Sequence, residues 1–140
     1  MKIFLFSITF IITLGCQSPY KTTLNPELNR IYFGNGGGFS GKVNQWVLSA
    51  NGRLYQIVDI NKEKDSLILI KKISKKITNQ LFEEYSGIEE NSKPFQDPNN
   101  MYSFIRFENS SKNIIYTWNE STNDIIPLKS LYNKLYEQTL

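Results

Sequence analysis

Apolar residues along the chain fall into short runs that are typical of β-strands, with polar or glycine-rich segments between them. Two of these runs flank Asn51-Gly52, a strong hairpin signal because both residues tolerate the positive φ of a type I′ turn. The run at residues 66–70 is apolar at every position after its first, which predicts a central strand. Residues 109–113 are expected to form the longer turn of a second hairpin. The runs lie at residues 31–33, 43–49, 53–60, 66–70, 101–107 and 114–118.

Two other segments have the spacing of amphipathic helices. The first is expected to begin near Ser74 and to end at Gly87, with a polar, proline-containing loop over residues 88–100 after it. The second is expected to have Pro127 as its first residue. The apolar faces comprise Ile73, Ile77, Leu81 and Tyr85 in the first helix and Leu128, Leu131, Tyr132, Leu135 and Tyr136 in the second.

The order of these elements, β-β-β-β-α-β-β-α, predicts an α+β fold. We expect a mainly antiparallel sheet of about five to six strands with two helices packed on it. The elements form a single domain over residues 28–140, without internal repeats. A domain of this size can bury a sufficient core without disulfides or metals.

The amino-acid composition of the chain excludes several classes of function. The chain has no histidine and one cysteine, and its 16 basic and 13 acidic side chains give a net charge of +3. Without histidine there is no Ser-His or Cys-His catalysis and no ordinary zinc site, and one cysteine cannot form an intrachain disulfide. The small net charge argues against nucleic acid as a partner. We therefore assign no catalytic, cofactor-binding or metal-binding residue.

The first residues have the pattern of a secretory signal. Lys2 precedes an uncharged, largely apolar run over residues 3–14, and the small residue Gly15 follows it. As a helix this run would be about 18 Å long, which is shorter than the ~30 Å hydrocarbon core of a bilayer. The pattern therefore predicts a signal peptide over residues 1–15 rather than a transmembrane helix.

The sequence Thr-Leu-Gly-Cys at residues 13–16 resembles the bacterial lipobox, in which signal peptidase II cleaves before a lipidated cysteine. Gly15 fits this pattern, whereas Thr13 stands where leucine is usual. The resemblance implies that Cys16 carries a diacylglycerol and palmitate. The polar residues after it, which include two prolines, predict a short tether, so that residues 16–27 comprise the lipidated cysteine and the tether. The alternative is an ordinary signal peptide followed by an incidental cysteine.

Lipoprotein sorting depends on the residue that directly follows the lipidated cysteine, and in this chain that residue is Gln17. By resemblance to those rules, glutamine rather than aspartate implies the outer membrane in a Gram-negative cell. We expect the protein to be lipid-anchored in the bacterial cell envelope, facing the periplasm.

Residues 34–41 hold five of the eight glycines of the chain and follow the first strand as a loop. Gly36, Gly38 and Gly41 match the spacing of a dinucleotide-binding motif, but a strand rather than a helix follows them. The cluster therefore favours a backbone role, in which glycines allow sharp turns or close approach. The alternative is a loop that faces a ligand or partner, with Phe39 exposed at its tip.

Aromatic residues are numerous, with 8 Tyr, 9 Phe and 2 Trp, and most occupy core positions of the predicted elements. Trp118 lies near a strand end and precedes the polar pair Asn119-Glu120. We expect Trp118 to be the exception to core packing, and to face a protein or glycan partner together with Phe39.

Charged clusters are expected to be solvated. Adjacent carboxylates on a helix point about 100° apart, so no pair is spaced as the acid and nucleophile of a glycosidase. The one basic cluster could instead contact anionic lipid head groups. These clusters are the pairs Glu83-Glu84 and Glu89-Glu90, and the lysines Lys71, Lys72, Lys75 and Lys76.

Several short segments together resemble a group of small bacterial lipoproteins with no assigned activity. The resemblance covers residues 31–137 and implies a location in the envelope, with no catalytic residues. The segments that carry it are residues 33–39, 51–55, 100–104 and 116–118 and the Leu-Tyr-rich last helix.

The main functional hypothesis is a lipid-anchored, non-enzymatic binding or interaction module. Its partners would be the membrane, through Cys16, and a protein or glycan of unknown identity. One alternative is an inhibitor of an envelope or secreted protease, with residues 34–41 or 88–100 as the inhibitory loop. The other is a carboxylate-dependent glycan hydrolase.

Overall fold

The computed structural model describes residues 24–58 and 66–140, and it confirms the α+β fold and the predicted order of elements. The predicted signal peptide, Cys16 and most of the tether lie outside the described residues. None of the described helices is long and apolar enough to span a membrane. The elements are β1 (Arg30–Gly37), β2 (Asn44–Ser49), β3 (Arg53–Val58), β4 (Ser66–Lys72), α1 (Lys75–Asn91), β5 (Met101–Glu108), β6 (Asn113–Trp118) and α2 (Ile126–Glu137).

All six strands form one antiparallel sheet in the order β4-β3-β2-β1-β5-β6. β1 is central, and its Phe33 lies between Trp46 of β2 and Ile105 of β5. Alternate residues of β1 point to opposite faces, so Ile31 and Phe33 are fully buried on the face that the helices cover. The main core lies between this face and the two helices.

The opposite face of the sheet has a smaller apolar cluster, made by Tyr32, Val47, Tyr55 and Phe104. Leu24 packs against this cluster, so the chain enters the domain on the face that carries no helix. The Arg106 guanidinium lies 4.1 Å from the centroid of the Tyr32 ring.

The first helix is longer than predicted, because α1 continues through Gly87 to Asn91. Gly87 therefore does not end the helix, and the predicted loop begins after residue 91 instead of at residue 88. Glycine costs about 1 kcal/mol within a helix, whereas burying an isoleucine side chain gains about 1.5–3 kcal/mol. Ile88 is buried in the main core, so its packing offsets the cost of the glycine before it.

The buried face of α1 also differs from the prediction at one position. Ser74 is the N-cap, as expected, and its hydroxyl accepts a hydrogen bond from the Ile77 amide. Ile77 is exposed, and Thr78 occupies the buried position instead. The face that packs on the sheet consists of Thr78, Leu81, Tyr85 and Ile88, and Ile73 is buried just before the helix.

The turn between β2 and β3 is not type I′. The Gly52 amide donates to the Ser49 carbonyl over 2.8 Å, and Gly52 has φ +82, but Asn51 does not have a positive φ. This is a three-residue hairpin loop, a type I turn followed by a left-handed glycine. The turn depends on Gly52 for a second reason, since a Cβ there would lie 2.6 Å from the Ile73 carbonyl oxygen.

The run at residues 66–70 does not form a central strand. It belongs to β4, which is an edge strand of the sheet. Ile68, Leu69 and Ile70 are 52%, 53% and 36% exposed. Aliphatic side chains at successive positions are typical of a strand covered on both faces, so the sequence pattern alone placed β4 in the wrong part of the sheet.

The second helix agrees closely with the prediction. α2 spans Ile126–Glu137, and Pro127 is its second residue rather than its first. Leu128, Leu131 and Leu135 are buried against the sheet. Tyr132 is half-buried, so its ring and hydroxyl reach the end of the sheet where β1, β5 and β6 meet α2.

Candidate functional site

A cleft of about 510 Å³ opens at this end of the sheet, between the ends of β1, β5 and β6 and the exposed side of α2. Binding sites for small ligands occur in concave regions that combine apolar walls with a few polar groups. Three aromatic residues contribute to the walls of this cleft: Tyr102, Trp118 and Tyr132. Three asparagines contribute amide groups: Asn35, Asn119 and Asn133.

The aromatic wall is built from β6 and α2. The Trp118 and Tyr132 rings meet edge to face with centroids 5.6 Å apart, and Tyr132 also packs edge to face on Phe33. Tyr132 stacks on Tyr136, the next aromatic residue of α2. These contacts fix the Tyr132 ring at the wall of the cleft, because a rotation would break packing on several sides.

Trp118 is 4% exposed and belongs to the main core. The prediction that Trp118 stands outside the core is therefore wrong. Strand alternation places it on the helix-covered face, where Tyr132 covers it. The small exposed part of Trp118 lines the cleft.

Asn35 is oriented by two neighbours. Its Nδ2 donates to the Tyr132 hydroxyl over 3.2 Å, and its Oδ1 accepts from the Asn44 Nδ2 over 3.1 Å. Each amide group has further hydrogen-bonding capacity, since the nitrogen carries two donors and the oxygen accepts two bonds. Asn35 can therefore offer one donor and one acceptor to a ligand without losing its present partners.

Asn119 is fixed on the opposite side of the cleft. Its Nδ2 donates to the Asp97 carbonyl over 2.9 Å, and its Oδ1 accepts from the Ser121 amide over 2.9 Å. Its backbone amide donates to the Thr122 hydroxyl, which in turn donates to the Asp97 carboxylate. The turn after β6, which borders the cleft, is thus tied to the segment before β5.

The described residues contribute one carboxylate and one ammonium to the cleft. Glu120 is exposed, and the Lys129 Nζ donates to the Thr122 carbonyl over 3.2 Å. Among the described residues that line the cleft, Glu120 is the only acidic one. A glycosidase uses two carboxylates across the scissile bond, so this geometry does not favour the hydrolase alternative.

The carboxylates of α1 lie away from the cleft. Glu84 pairs with Lys134 of α2 at 2.7 Å, and Glu89 pairs with Lys112 at 2.6 Å. Across residues 24–58 and 66–140, the Cys, Asp and Glu side chains form no group of three that could hold a metal ion.

The glycine-rich segment lies beside the cleft and is only partly a loop. β1 continues to Gly37, so the segment begins as a strand, contrary to the prediction. A Cβ on Gly36 would lie 2.7 Å from the Tyr102 hydroxyl oxygen, so a side chain at this strand position would displace the Tyr102 ring. Gly37 has φ +100, and the Gly38 amide donates to the Asn100 carbonyl over 2.6 Å. These features turn the chain away from the sheet next to the start of β5.

Phe39 is fully exposed, as predicted, and follows directly after this turn. Met101, which lines the cleft, is also exposed. A Cβ on Gly38 would lie 3.1 Å from the Met101 sulfur, so the turn that carries Phe39 borders the rim of the cleft. The structure does not bring Phe39 and Trp118 together as one exposed surface, since only Phe39 is exposed.

Three residues with perturbed pKa values lie outside the cleft. Burial raises the pKa of Tyr85 and Tyr116 in the main core, and it raises the pKa of Tyr32 on the opposite face despite the nearby Arg30. The Tyr116 hydroxyl donates to the Ser92 carbonyl, whereas the Tyr85 hydroxyl has no hydrogen-bond partner among the described residues. These shifts reflect core packing and do not mark a reactive group.

Sequence reasoning missed Asn35, Tyr132 and Asn119 as site residues. Asn35 lies within the glycine-rich segment, where the glycines indicated a backbone role, and Tyr132 was predicted to lie on the apolar face of α2. The polar residues after Trp118 were the one available signal, since a polar turn that follows a buried strand often borders a site.

The chain matches no protein-family model and none of the curated proteins with which it was compared. The resemblance to small bacterial lipoproteins therefore stays a hypothesis.

Proposed function

We propose that the protein is a lipid-anchored module of the bacterial cell envelope, which binds a neutral glycan in the cleft beside α2. The anchor is supported by the signal-like residues 1–15 and by Cys16, the only cysteine of the chain. The binding role is supported by the cleft, and the location would place wall and surface glycans within reach.

The choice of a neutral glycan as the ligand is based on the chemistry of the cleft. Sugars present hydroxyl groups, which amides bind as donor and acceptor together, and C–H faces, which pack on aromatic rings. Asn35, whose amide keeps one free donor and one free acceptor, lines the same cleft as the Tyr132 ring, and Asn119 lines it on the other side. Residues 24–58 and 66–140 place one carboxylate and one ammonium at the border of the cleft, a balance that suits an uncharged ligand better than an anion or a cation.

The anchor is tested by metabolic labelling with radioactive palmitate. We expect label in the full chain and none in the Cys16→Ser variant, because an acylated cysteine is the attachment point. A Ser18→Ala variant keeps the cysteine and is the matched control. Label that persists in Cys16→Ser would contradict the anchor.

The cleft is tested by calorimetric titration of the full chain, in detergent, with soluble oligosaccharides of N-acetylglucosamine, which carry no charge. We expect Asn35→Ala to weaken binding at least tenfold, since it removes a direct contact and also releases Tyr132. Asn113→Ala changes an exposed asparagine at the opposite end of β6 and should leave binding unchanged. Equal affinity in the two variants, or no binding by the unsubstituted chain, would contradict the proposal.

A second candidate, the protease inhibitor, is favoured by one observation. Phe39 is fully exposed on a turn that is held by the hydrogen bond from the Gly38 amide to the Asn100 carbonyl. A side chain that enters a protease pocket must be exposed and held in place in this way. Inhibition of a secreted protease by the full chain at micromolar concentration, lost in Phe39→Ala, would support this candidate over glycan binding. No inhibition by the unsubstituted chain would exclude it for that protease.

A further inference from the structure

A groove of about 500 Å³ lies on the face of the sheet that carries no helix, and Tyr102 is the one described residue that lines both this groove and the cleft. The groove crosses the central strand β1. There Gly34 pairs with Gln45 of β2 on one side and with Phe104 of β5 on the other. Because glycine has no side chain, Gln45 and Phe104 line the groove without another side chain between them.

The segment before β5 forms the outer wall of the groove, through Gln96 and Pro98. The Asp97 amide donates to the Thr117 carbonyl over 2.8 Å, and the Thr117 amide donates to the Phe95 carbonyl over 3.0 Å. Gln96 also forms a parallel bridge with Thr117. These bonds hold the wall against β6, so the groove is a preformed feature of the fold.

Arg106 is the only charged residue among the described residues that line the groove. Its guanidinium lies 4.1 Å from the centroid of the Tyr32 ring, a contact that orients the planar group. Its Nε is buried and has no hydrogen-bond partner within the described ranges. Its Nη2 lies 3.6 Å from the Glu108 Oε2, which is longer than a hydrogen bond of about 2.7–3.2 Å. A guanidinium carries five N–H donors, so the terminal nitrogens of Arg106 keep donors for a ligand.

Glu108 does not neutralise Arg106, because a second arginine binds the same carboxylate more closely. The Arg30 Nη2 donates to the Glu108 Oε1 over 2.8 Å. Two guanidinium groups therefore share one carboxylate, which leaves this cluster with one positive charge in excess. A carboxylate ligand carries one negative charge and accepts two parallel N–H bonds from a guanidinium. A phosphate monoester carries about −1.5 to −2 at pH 7, so the single excess charge favours the carboxylate.

The acidic residues outside the described ranges are poorly placed along the chain to supply this carboxylate. Residues 1–23, which precede Leu24 on this face of the sheet, contain no Asp or Glu. Asp59, Glu63 and Asp65 belong to the connection between β3 and β4, and the strands β2 and β1 separate β3 from β5. The charge of Arg106 therefore favours a carboxylate from outside the chain.

We propose that the groove binds a small organic monocarboxylate, with its carboxylate on the terminal nitrogens of Arg106 and an apolar group on Phe104 and Ile115. Ile115 is directly opposite Arg106 in β6, and Phe104 is the next residue of β5 on the same face. The side-chain amides of Gln45 and Gln96 line the groove and can bind an amide of the ligand. An N-acylated apolar amino acid combines a carboxylate, an amide and an apolar group.

The test is an NMR titration of the 15N-labelled full chain, in uncharged detergent, with N-acetylphenylalanine, followed at the Thr117 backbone amide. We expect saturable binding, and at least tenfold weaker binding of N-acetylphenylalaninamide, which has a neutral amide in place of the carboxylate. Arg106→Gln should weaken binding of the acid at least tenfold. Arg53→Gln changes an exposed arginine outside the groove and should leave the affinity unchanged.

A second pair of variants keeps the test valid if Arg106→Gln does not fold. Opposed residues of an antiparallel pair have Cβ atoms about 4.5–5.5 Å apart, so Ile115→Glu places a competing carboxylate beside the Arg106 guanidinium. Ile115→Gln has nearly the same shape and no charge, and it is the matched control. We expect at least tenfold weaker binding of N-acetylphenylalanine by Ile115→Glu than by Ile115→Gln.

Three results would overturn the proposal. The first is equal affinity for the acid and its amide, or no saturable binding by the unsubstituted chain. The second is equal affinity of the two Ile115 variants for the acid. The third is tighter binding of phenyl phosphate than of N-acetylphenylalanine, which would replace the carboxylate with a phosphate. Asn35→Ala changes the cleft and should leave this affinity unchanged, so failure here is distinguishable from failure of the proposed function.

Discussion

The Tyr85 hydroxyl is the clearest example of a polar group buried in the core without a partner among the described residues. Its ring stacks on Phe107 with centroids 4.8 Å apart, so the aromatic part of the side chain packs well. Leaving a buried hydroxyl without a hydrogen bond costs roughly 1–3 kcal/mol. At this residue, ring packing and the unpaired hydroxyl therefore oppose each other.

We predict that Tyr85→Phe leaves the free energy of unfolding at pH 7 unchanged or raises it by about 1 kcal/mol, because it keeps the ring and removes the unpaired hydroxyl. Urea denaturation measures this change. Tyr136→Phe, which alters an exposed tyrosine, is the matched control. A loss of more than about 1 kcal/mol in Tyr85→Phe would show that the hydroxyl has a partner.

The same residue predicts how stability depends on pH. Burial raises the pKa of Tyr85 in the folded protein above its ordinary value of 10.0. The unfolded chain therefore releases this proton first, and stability falls as the pH rises above about 10. In urea denaturation at pH 9 and pH 11, Tyr85→Phe should lose less stability than the unsubstituted chain. An identical loss in both would contradict the assignment.

At the scale of elements, two glycines, Gly52 and Gly87, have opposite structural roles. Gly52 has φ +82, and a Cβ there would meet the Ile73 carbonyl. Gly87 lies within α1, and a Cβ there would meet no atom within 4 Å. The first glycine is required by its turn, whereas the second weakens the helix that contains it.

We predict opposite effects of the same substitution at these two positions. Gly87→Ala should raise the free energy of unfolding by about 0.5–1 kcal/mol, since alanine is the better helix former. Gly52→Ala should lower it by roughly 2 kcal/mol, through backbone strain and the contact with Ile73. Thermal denaturation of both variants measures the pair. A stabilising Gly52→Ala or a destabilising Gly87→Ala would contradict the described turn or helix.

At the scale of the whole molecule, local patterns predicted which elements form but not where they lie. Spacing of apolar residues predicted α2 and the strands of the two hairpins correctly, because strand and helix periods are properties of neighbouring residues. The position of β4 at an edge depends on the order of strands in space, which its apolar residues do not encode. The burial of Trp118 depends in the same way on Tyr132, which is distant in sequence.

The candidate site could not be predicted from the sequence for a related reason. Asn35, Asn119 and Tyr132 come from a strand, a turn and a helix, and only the fold brings them to one cleft. None of them carries a motif, because binding through amides and aromatic rings requires no fixed spacing along the chain.

The most direct measurement of glycan binding in this cleft uses the only two tryptophans of the chain. Trp118 lines the cleft, whereas Trp46 packs against Phe33 and Tyr136 and does not line it. The indole N–H signals of the 15N-labelled full chain can be followed by NMR while uncharged oligosaccharides of N-acetylglucosamine are added. We predict a saturable shift of the Trp118 signal with little change in Trp46. No shift at millimolar ligand, or equal shifts of both signals, would contradict binding in the cleft.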